Sequence, residues 1–294
     1  QKVSSQYSGG CIRLPDADAK DVYNLVEIGM PVLIYKKAFD VENSTYQYKI
    51  PEISAEAYLV ADLKNNFVFL DNNKDKVLPI ASITKLITSL AVIDHTNLDY
   101  YVTVPQEAIV NTSIPRLKVD QKISVFDLLC LLLEESSNEA GEALSSYLGS
   151  DNMIKWMNYQ TKVIGLKNSH FVDPNGFSIE DVSTPSDLYQ LARYLYFNRR
   201  FILNISKGVY DNEYYDHPIY AVKNLNLFAD DENFVGGKIG STSASGETML
   251  AVFELPFGEQ KRPIAFIVLN SKDVKSDITK MVNFIKNNYQ FVNE

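Results

Sequence analysis

Residues 79–90 read PIASITKLITSL. From Ser82 onward, Ile83, Leu86, Ile87, Leu90 and Ile93 recur at helical spacing and make a broad apolar face, while Ser82, Lys85 and Ser89 share one stripe at i, i+3 and i+7. This predicts a core helix that carries a serine and a lysine one turn apart at its start. A serine hydroxyl is a weak nucleophile and needs an adjacent base. Lysine can serve only if its pKa falls well below about 10.4, and burial and nearby positive charge both push it down. The helix N-terminus adds partial positive charge and free N–H groups, which favour a neutral amine and a developing alkoxide. A lone Ser-x-x-Lys arises by chance roughly once in a chain of this size, and then marks a solvent-facing polar stripe. Other stretches must decide between the two.

Working outward, AEAYLVADL and NFVFLD read as two strands joined by a turn at Lys64-Asn65-Asn66, a hairpin that opens the domain. The middle of the chain reads as helices: Ser124 to Asp127 resembles a capping box, and Thr184, Pro185 and Asp187 read as a cap with proline in the first turn. Near the end, TMLAVFEL and PIAFIVLN are near-continuous apolar strands, followed by the amphipathic helix SDITKMVNFIKNNY. Strands at both ends must share one sheet. The expected fold is α+β, an antiparallel sheet of about five strands covered by helices, with a mainly helical subdomain inserted and the site where the two meet.

The chain has 294 residues, 46% hydrophobic and 22% charged, enough for a sizeable core. A formal net charge of −9, with basic pairs only at Arg199-Arg200 and Lys261-Arg262, argues against a nucleic-acid partner. Cys11 and Cys130 form no metal-spaced or disulfide framework, and Cys130, in the apolar run DLLCLLLEE, is expected to be a buried free thiol. His95, His170 and His217 match no metal spacing, and His170 is expected to order a loop. Neither a metal nor an organic cofactor is implied. No run of 18 apolar residues appears, and residues 1–20 lack an apolar signal core, so a chain beginning at Gln1 is expected to have lost any leader. Residues 1–50, Ser/Gly/Asp-rich around MPVLIYKKAF, are expected to be an N-terminal extension packed on a main domain of residues 51–294.

Two later stretches settle the reading of Lys85. After the apolar helix VFDLLCLLLEE comes SSNEA, with Ser136 and Asn138 at a helix-to-helix junction, and VGGKIGSTSASG places Lys238 at the start of a strand. Each is degenerate alone, but SxxK, SxN and KxG in this order are the set of penicillin-binding proteins and class A β-lactamases. Over about residues 53 to 290 the sequence resembles the low-molecular-mass penicillin-binding proteins, serine D-alanyl-D-alanine carboxypeptidases. The resemblance lies in ISAEAYLVADL, PIASITKLIT, LLEESSNEAGEAL, GLKNSHFVDPNGF, STPSDLYQLARYL and GGKIGSTSASG.

That resemblance implies that Ser82 is the acylated nucleophile and Lys85 its general base. Ser136 relays a proton to the leaving amine, and Asn138 holds Lys85 and the substrate amide. On the substrate side it implies Lys238, Gly240, Ser241 and Thr242: Lys238 attracts the terminal carboxylate, the backbone N–H groups of Ser82 and Ser241 form the oxyanion hole, and Thr242 is a candidate carboxylate ligand. One residue departs from the pattern: Ile239 stands where the family has a carboxylate-binding threonine, and it can neither donate nor accept a hydrogen bond. The implied partners are peptidoglycan stem peptides and, as covalent inhibitors, β-lactam antibiotics. The implied location is the bacterial cell envelope, in the periplasm or at the outer face of the cytoplasmic membrane, with any anchor outside these residues. An endopeptidase cutting cross-links would use the same residues. A β-lactamase would need a Glu-x-x-Leu-Asn stretch, and none lies between Asn138 and Lys238. A catalytically weakened wall-binding protein has only Ile239 in its favour.

Overall fold

The computed structural model describes residues 20, 22–24, 50–210, 220–258 and 260–289. The chain forms two units, residues 1–49 and 50–294. Cys11, His217 and the MPVLIYKKAF segment lie outside the described residues.

The second unit opens with the hairpin β1 (Ala57–Asp62) and β2 (Val68–Asn72), paired from Tyr58–Asn72 to Ala61–Val68. Its turn is held by Asp62, whose Oδ1 accepts from the backbone N–H of Lys64 at 2.7 Å and of Asn65 at 3.2 Å. Asn66, at φ 61°, uses the tolerance of asparagine for the left-handed region. The strands β7 (Phe234–Thr242), β8 (Gly246–Phe257) and β9 (Gln260–Ser271), named in chain order, complete a five-stranded antiparallel sheet in the order β2-β1-β9-β8-β7. Strand β7 is therefore an edge. Lys238 sits in its middle and not at its start: Gly236-Gly237 reads as a turn in sequence, but the strand runs through it because the backbone at Leu203 lies too close for a side chain at Gly236.

Alternation along the strands separates two cores. Val60, Phe253, Phe266 and Val268 face one side, where Val274, Ile278 and Met281 of the last helix, α7 (Val274–Asn288), cover them. Leu59, Leu250, Val252 and Ile267 face the other, against the helices inserted between β2 and β7. The first of these helices is α1 (Thr84–His95), in which Thr84 through Val92 are all buried. The stripe of Lys85 and Ser89 thus faces no solvent, because α1 is enclosed on every side. Within this helix the Ser89 hydroxyl donates to the Lys85 carbonyl at 2.8 Å, and the Thr88 hydroxyl to the Pro174 carbonyl at 2.7 Å.

Helices α2 (Val125–Glu134), α3 (Asn138–Leu148), α4 (Ser150–Ile164), α5 (Pro185–Asn198) and α6 (Arg200–Lys207) make up the rest of the insertion. Local chemistry starts them. The Ser124 hydroxyl accepts from Asp127 N–H ahead of α2, and the Thr184 hydroxyl accepts from Asp187 N–H ahead of α5, with Pro185 in the first turn. Cys130 is a buried free thiol. Two short antiparallel pairings lie outside the main sheet: β3 (Leu78–Pro79), just ahead of Ser82 in the chain, with β6 (Val182–Ser183), and β4 (Tyr101–Thr103) with β5 (Lys122–Ser124). His170 pairs with Val182 through main-chain hydrogen bonds of 3.0 Å, which orders the loop ahead of β6. Among the described residues, no helix is long and apolar enough to cross a membrane.

Candidate active site

A single 3-10 turn, Ala81–Ile83, leads into α1 and carries Ser82 half-buried at its start. Ala81 has φ 48° and Ser136 has φ 56°, both in the left-handed region that non-glycine residues avoid. Each such residue costs about 1–3 kcal/mol, and such strain collects where packing must hold a functional group in place.

Lys85 is fully buried. Its Nζ lies 3.1 Å from Ser82 Oγ, 2.9 Å from Asn138 Oδ1 and 2.8 Å from the backbone carbonyl of Asn175. Burial brings its pKa down to about 7, although Asp173, Glu142 and Asp181 pull it back up. The protonation state decides which way these bonds run. An ammonium donates to all three oxygens, whereas a neutral amine has two N–H groups and one lone pair. The carbonyl oxygens of Asn138 and Asn175 can only accept, so they take both N–H groups and leave the lone pair for the Ser82 O–H. The geometry is that of a base aimed at a nucleophile.

Asn138 is the first residue of α3, and the helix cap is its neighbour Ser137, whose hydroxyl accepts from Ala140 N–H at 3.2 Å. The Asn138 amide is oriented by its own partners: Nδ2 donates to the Asn111 carbonyl at 2.9 Å, so Oδ1 is left to face Lys85. The Asn175 carbonyl is fixed by the turn around it. Asp173 Oδ1 accepts from the N–H groups of Asn175 and Gly176, each at 2.7 Å, and Oδ2 accepts from Ser178 at 2.6 Å. Burial alone would raise the Asp173 carboxyl, but a hydrogen bond with the Asp181 carboxyl and then these backbone hydrogen bonds outweigh it and hold the group below its usual range. Beside it, Asp181 is pushed up to about 8, chiefly by burial and then by Asp173.

Ser82, Ser136, Asn138, Gly240, Ser241 and Thr242 line one cleft of about 440 Å³, together with Asn111 to Ser113, Asn175 to Phe177, Leu225 and Ile239. Lys238 does not line it. It is fully buried on the sheet face that turns toward α1, like its register partner Leu250, and its Nζ donates to the Ile239 carbonyl at 3.0 Å. Burial, and then repulsion from Lys85, hold its pKa well below the usual lysine range. Gly240 brings the strand against the backbone of Ser82: a Cβ there would lie 2.6 Å from Ser82 N. The Thr242 hydroxyl donates to Ser245 Oγ at 3.0 Å and accepts from Ser245 N–H at 3.0 Å, so its proton is already used in the β7–β8 turn. Ile239 packs partly against the α7 side of the sheet while lining the cleft.

The cleft also contains residues that the motifs did not reveal. Asn111, Thr112 and Asn175 act on Asn138 and Lys85 across large sequence separations, and the one local signal that could have pointed to them is the turn-forming run Asp173-Pro174-Asn175-Gly176. Among the described residues, no group of three or more His, Cys, Asp or Glu side chains is placed to hold a metal.

Comparisons with known proteins bear on the family and the fold. Residues 43–273 match the family model described as D-alanyl-D-alanine carboxypeptidase, and residues 1–34 match a second one, L,D-transpeptidase catalytic domain. A D-alanyl-D-alanine endopeptidase of Escherichia coli K12 is 31% identical over 232 residues, covering 75% of this chain and 73% of that protein. The fold is shared with a D-alanyl-D-alanine carboxypeptidase of Mycobacterium tuberculosis H37Rv, at TM-score 0.72 and 20% identity over 82% of this chain and 94% of that one. It is also shared with penicillin-binding protein D2 of Listeria monocytogenes in its ampicillin-bound form, at TM-score 0.66 and 24% identity over 81% and 98%. On the long family match and the identity to the Escherichia coli relative, the chain belongs to the D-alanyl-D-alanine carboxypeptidase family.

Proposed function

We propose that the protein is a serine D-alanyl-D-alanine peptidase that removes the terminal D-alanine of peptidoglycan stem peptides through an acyl-enzyme on Ser82. The observation that carries this reading is the buried Lys85 amine, 3.1 Å from Ser82 Oγ with its other two hydrogen-bonding directions occupied. Neutral Lys85 takes the Ser82 proton as Oγ attacks the penultimate D-Ala carbonyl, and the backbone N–H groups of Ser82 and Ser241 receive the oxyanion. Ser136 passes a proton to the departing amine, which leaves as D-alanine. Water then attacks the ester and regenerates Ser82. Lys238, which does not line the cleft, acts on the substrate carboxylate through space, and that negative charge favours the charged form of this buried lysine. A β-lactam acylates Ser82 in the same way and is released slowly. Such a substrate places the protein in the cell envelope, outside the cytoplasmic membrane.

A second reading, cleavage of cross-links, is favoured by Ile239 and by the name of the Escherichia coli relative. Thr242 has its proton committed to Ser245, so no side-chain hydroxyl at 239 or 242 is free to donate to a carboxylate. Ile239→Thr restores one donor to a charged group, worth about 1.5–3 kcal/mol, and is expected to raise kcat/KM for D-alanine release from a pentapeptide by about ten- to a hundredfold. The measurement is made on the free-carboxylate peptide, on its amide and on a cross-linked dimer. Gain on the free carboxylate alone supports the reading of the pocket. A wild type that cuts the dimer and ignores the pentapeptide makes the protein an endopeptidase.

Residues 1–34 carry a separate reading. Their match to an L,D-transpeptidase catalytic domain favours assigning them to an acyl-transfer module rather than to an extension of the peptidase domain. Cys11, the only thiol in that stretch, is its candidate nucleophile. Loss of L,D-transpeptidation in Cys11→Ser, with Ser82 acylation intact, is the outcome this reading requires.

A further inference from the structure

Glu142 follows Asn138 by four residues on α3, so the two side chains project from the same face of the helix. Asn138 Oδ1 accepts from Lys85 Nζ at 2.9 Å. Glu142 Oε1 accepts from Asn175 Nδ2 at 2.8 Å, and the main-chain carbonyl of that same Asn175 accepts from Lys85 Nζ at 2.8 Å. The four residues close a ring, in which one turn of α3 grips the lysine directly through Asn138 and indirectly through Glu142 and Asn175. Gly141, between the two grips, leaves room for this: the Asn175 side chain lies against it so closely that a Cβ would overlap Asn175 Oδ1. Asn175 is 2% exposed, and its Oδ1 has no hydrogen-bond partner, so the Glu142 carboxylate is what orients the amide. None of SxxK, SxN and KxG contains Glu142 or Asn175.

We propose that Glu142 is a positioning residue for the general base: through the Asn175 side chain, and alongside the Asp173 turn that holds the Asn175 backbone, it fixes the carbonyl that occupies one N–H of Lys85, so that the lone pair of the neutral amine points at Ser82. The inference rests on Ser82 and Lys85 being the nucleophile and base. Glu142 also contributes charge. The ionisable groups facing Lys85 are Glu142 from α3, Asp173 and Asp181 from the loop ahead of β6, and Lys238 from β7; those facing Glu142 are Asp173 and Lys85. A negative Glu142 favours the lysine's charged form, which is the form that cannot act as a base.

The test is the rate of penicillin acylation between about pH 5.5 and 9, with the adduct site confirmed by peptide mass in every variant. In the wild type the rate rises with pH through about 7, as Lys85 loses its proton. Glu142→Gln keeps an acceptor for Asn175 Nδ2 and loses the charge. Its plateau is expected to match the wild type while its midpoint moves to lower pH by up to about one unit. Glu142→Ala releases Asn175, and its plateau is expected to fall by about ten- to a hundredfold. Asn175→Ala should cost a similar amount, and the double variant no more than either single one, since both break one linkage. A merely structural residue would lower thermal stability without moving the midpoint. If Glu142→Ala does not fold, Glu142→Leu, which keeps much of the bulk and offers Asn175 Nδ2 no acceptor, takes its place. A plateau in Glu142→Ala equal to that of the wild type, or losses that add in the double variant, overturns the role of Glu142 while leaving Ser82 and Lys85 in place. A wild type without an adduct on Ser82 overturns the reading beneath it.

Discussion

Lys85→Arg is expected to slow acylation of Ser82 by penicillin by about two to four orders of magnitude, the range that a positioned general base supplies. Arginine retains the positive charge and the donors but is never neutral in a protein, so it has no lone pair to offer the Ser82 proton. Lys85 can play that part because burial brings it down to about 7, and because Asn138 and Asn175 absorb its two N–H groups once it is neutral. The rate constant is read with a fluorescent penicillin, and circular dichroism and thermal melting on the same sample establish that the larger side chain has been accommodated. Wild-type acylation by a folded Lys85→Arg protein would mean that the residue acts only through charge or packing.

Gly240→Ala is expected to cost about two to three orders of magnitude in kcat, the effect of losing one oxyanion donor. The added methyl would lie 2.6 Å from Ser82 N, and 2.9 Å from both Ala81 Cβ and Thr248 Oγ1. None of these can give way easily: Ala81 is buried with a left-handed backbone, and the Thr248 hydroxyl already donates to the Ile80 carbonyl at 3.0 Å. Strand and nucleophile must separate, which takes the Ser82 N–H away from the carbonyl oxygen it would stabilise. The check is kcat on a D-alanyl-D-alanine peptide alongside the melting temperature. Full activity in a folded Gly240→Ala protein would show that this close approach has no part in catalysis.

The two effects illustrate how far local sequence reaches. Ser124 with Asp127, and Thr184 with Pro185 and Asp187, announced their helices because capping is settled within four residues. The runs that became β8 and β9 were legible because strands covered on both faces are apolar throughout. The three motifs likewise marked Ser82, Lys85, Asn138 and Gly240 by residue type and order. What sequence did not reveal depends on distant partners or on backbone paths. Lys85 looked like part of a polar stripe because its third acceptor, the Asn175 carbonyl, lies 90 residues away. Lys238 looked like the start of a strand because Gly236-Gly237 resembles a turn, until the backbone at Leu203 packs against it. Thr242 looked available to a carboxylate, but the hydroxyl-rich run from Ser241 to Ser245 lets it satisfy itself within the turn. The left-handed backbones of Ala81 and Ser136 have no counterpart in residue type, since neither alanine nor serine favours them.

The central claim is that Ser82 is a nucleophile acylated as the first chemical step. Intact mass of the protein after incubation with penicillin, followed by peptide mapping, tests it most directly. One stable adduct per chain is expected, located on the peptide containing Ser82, and none in Ser82→Ala. An adduct that persists in Ser82→Ala, or rapid steady hydrolysis of the drug with no adduct accumulating, would contradict it.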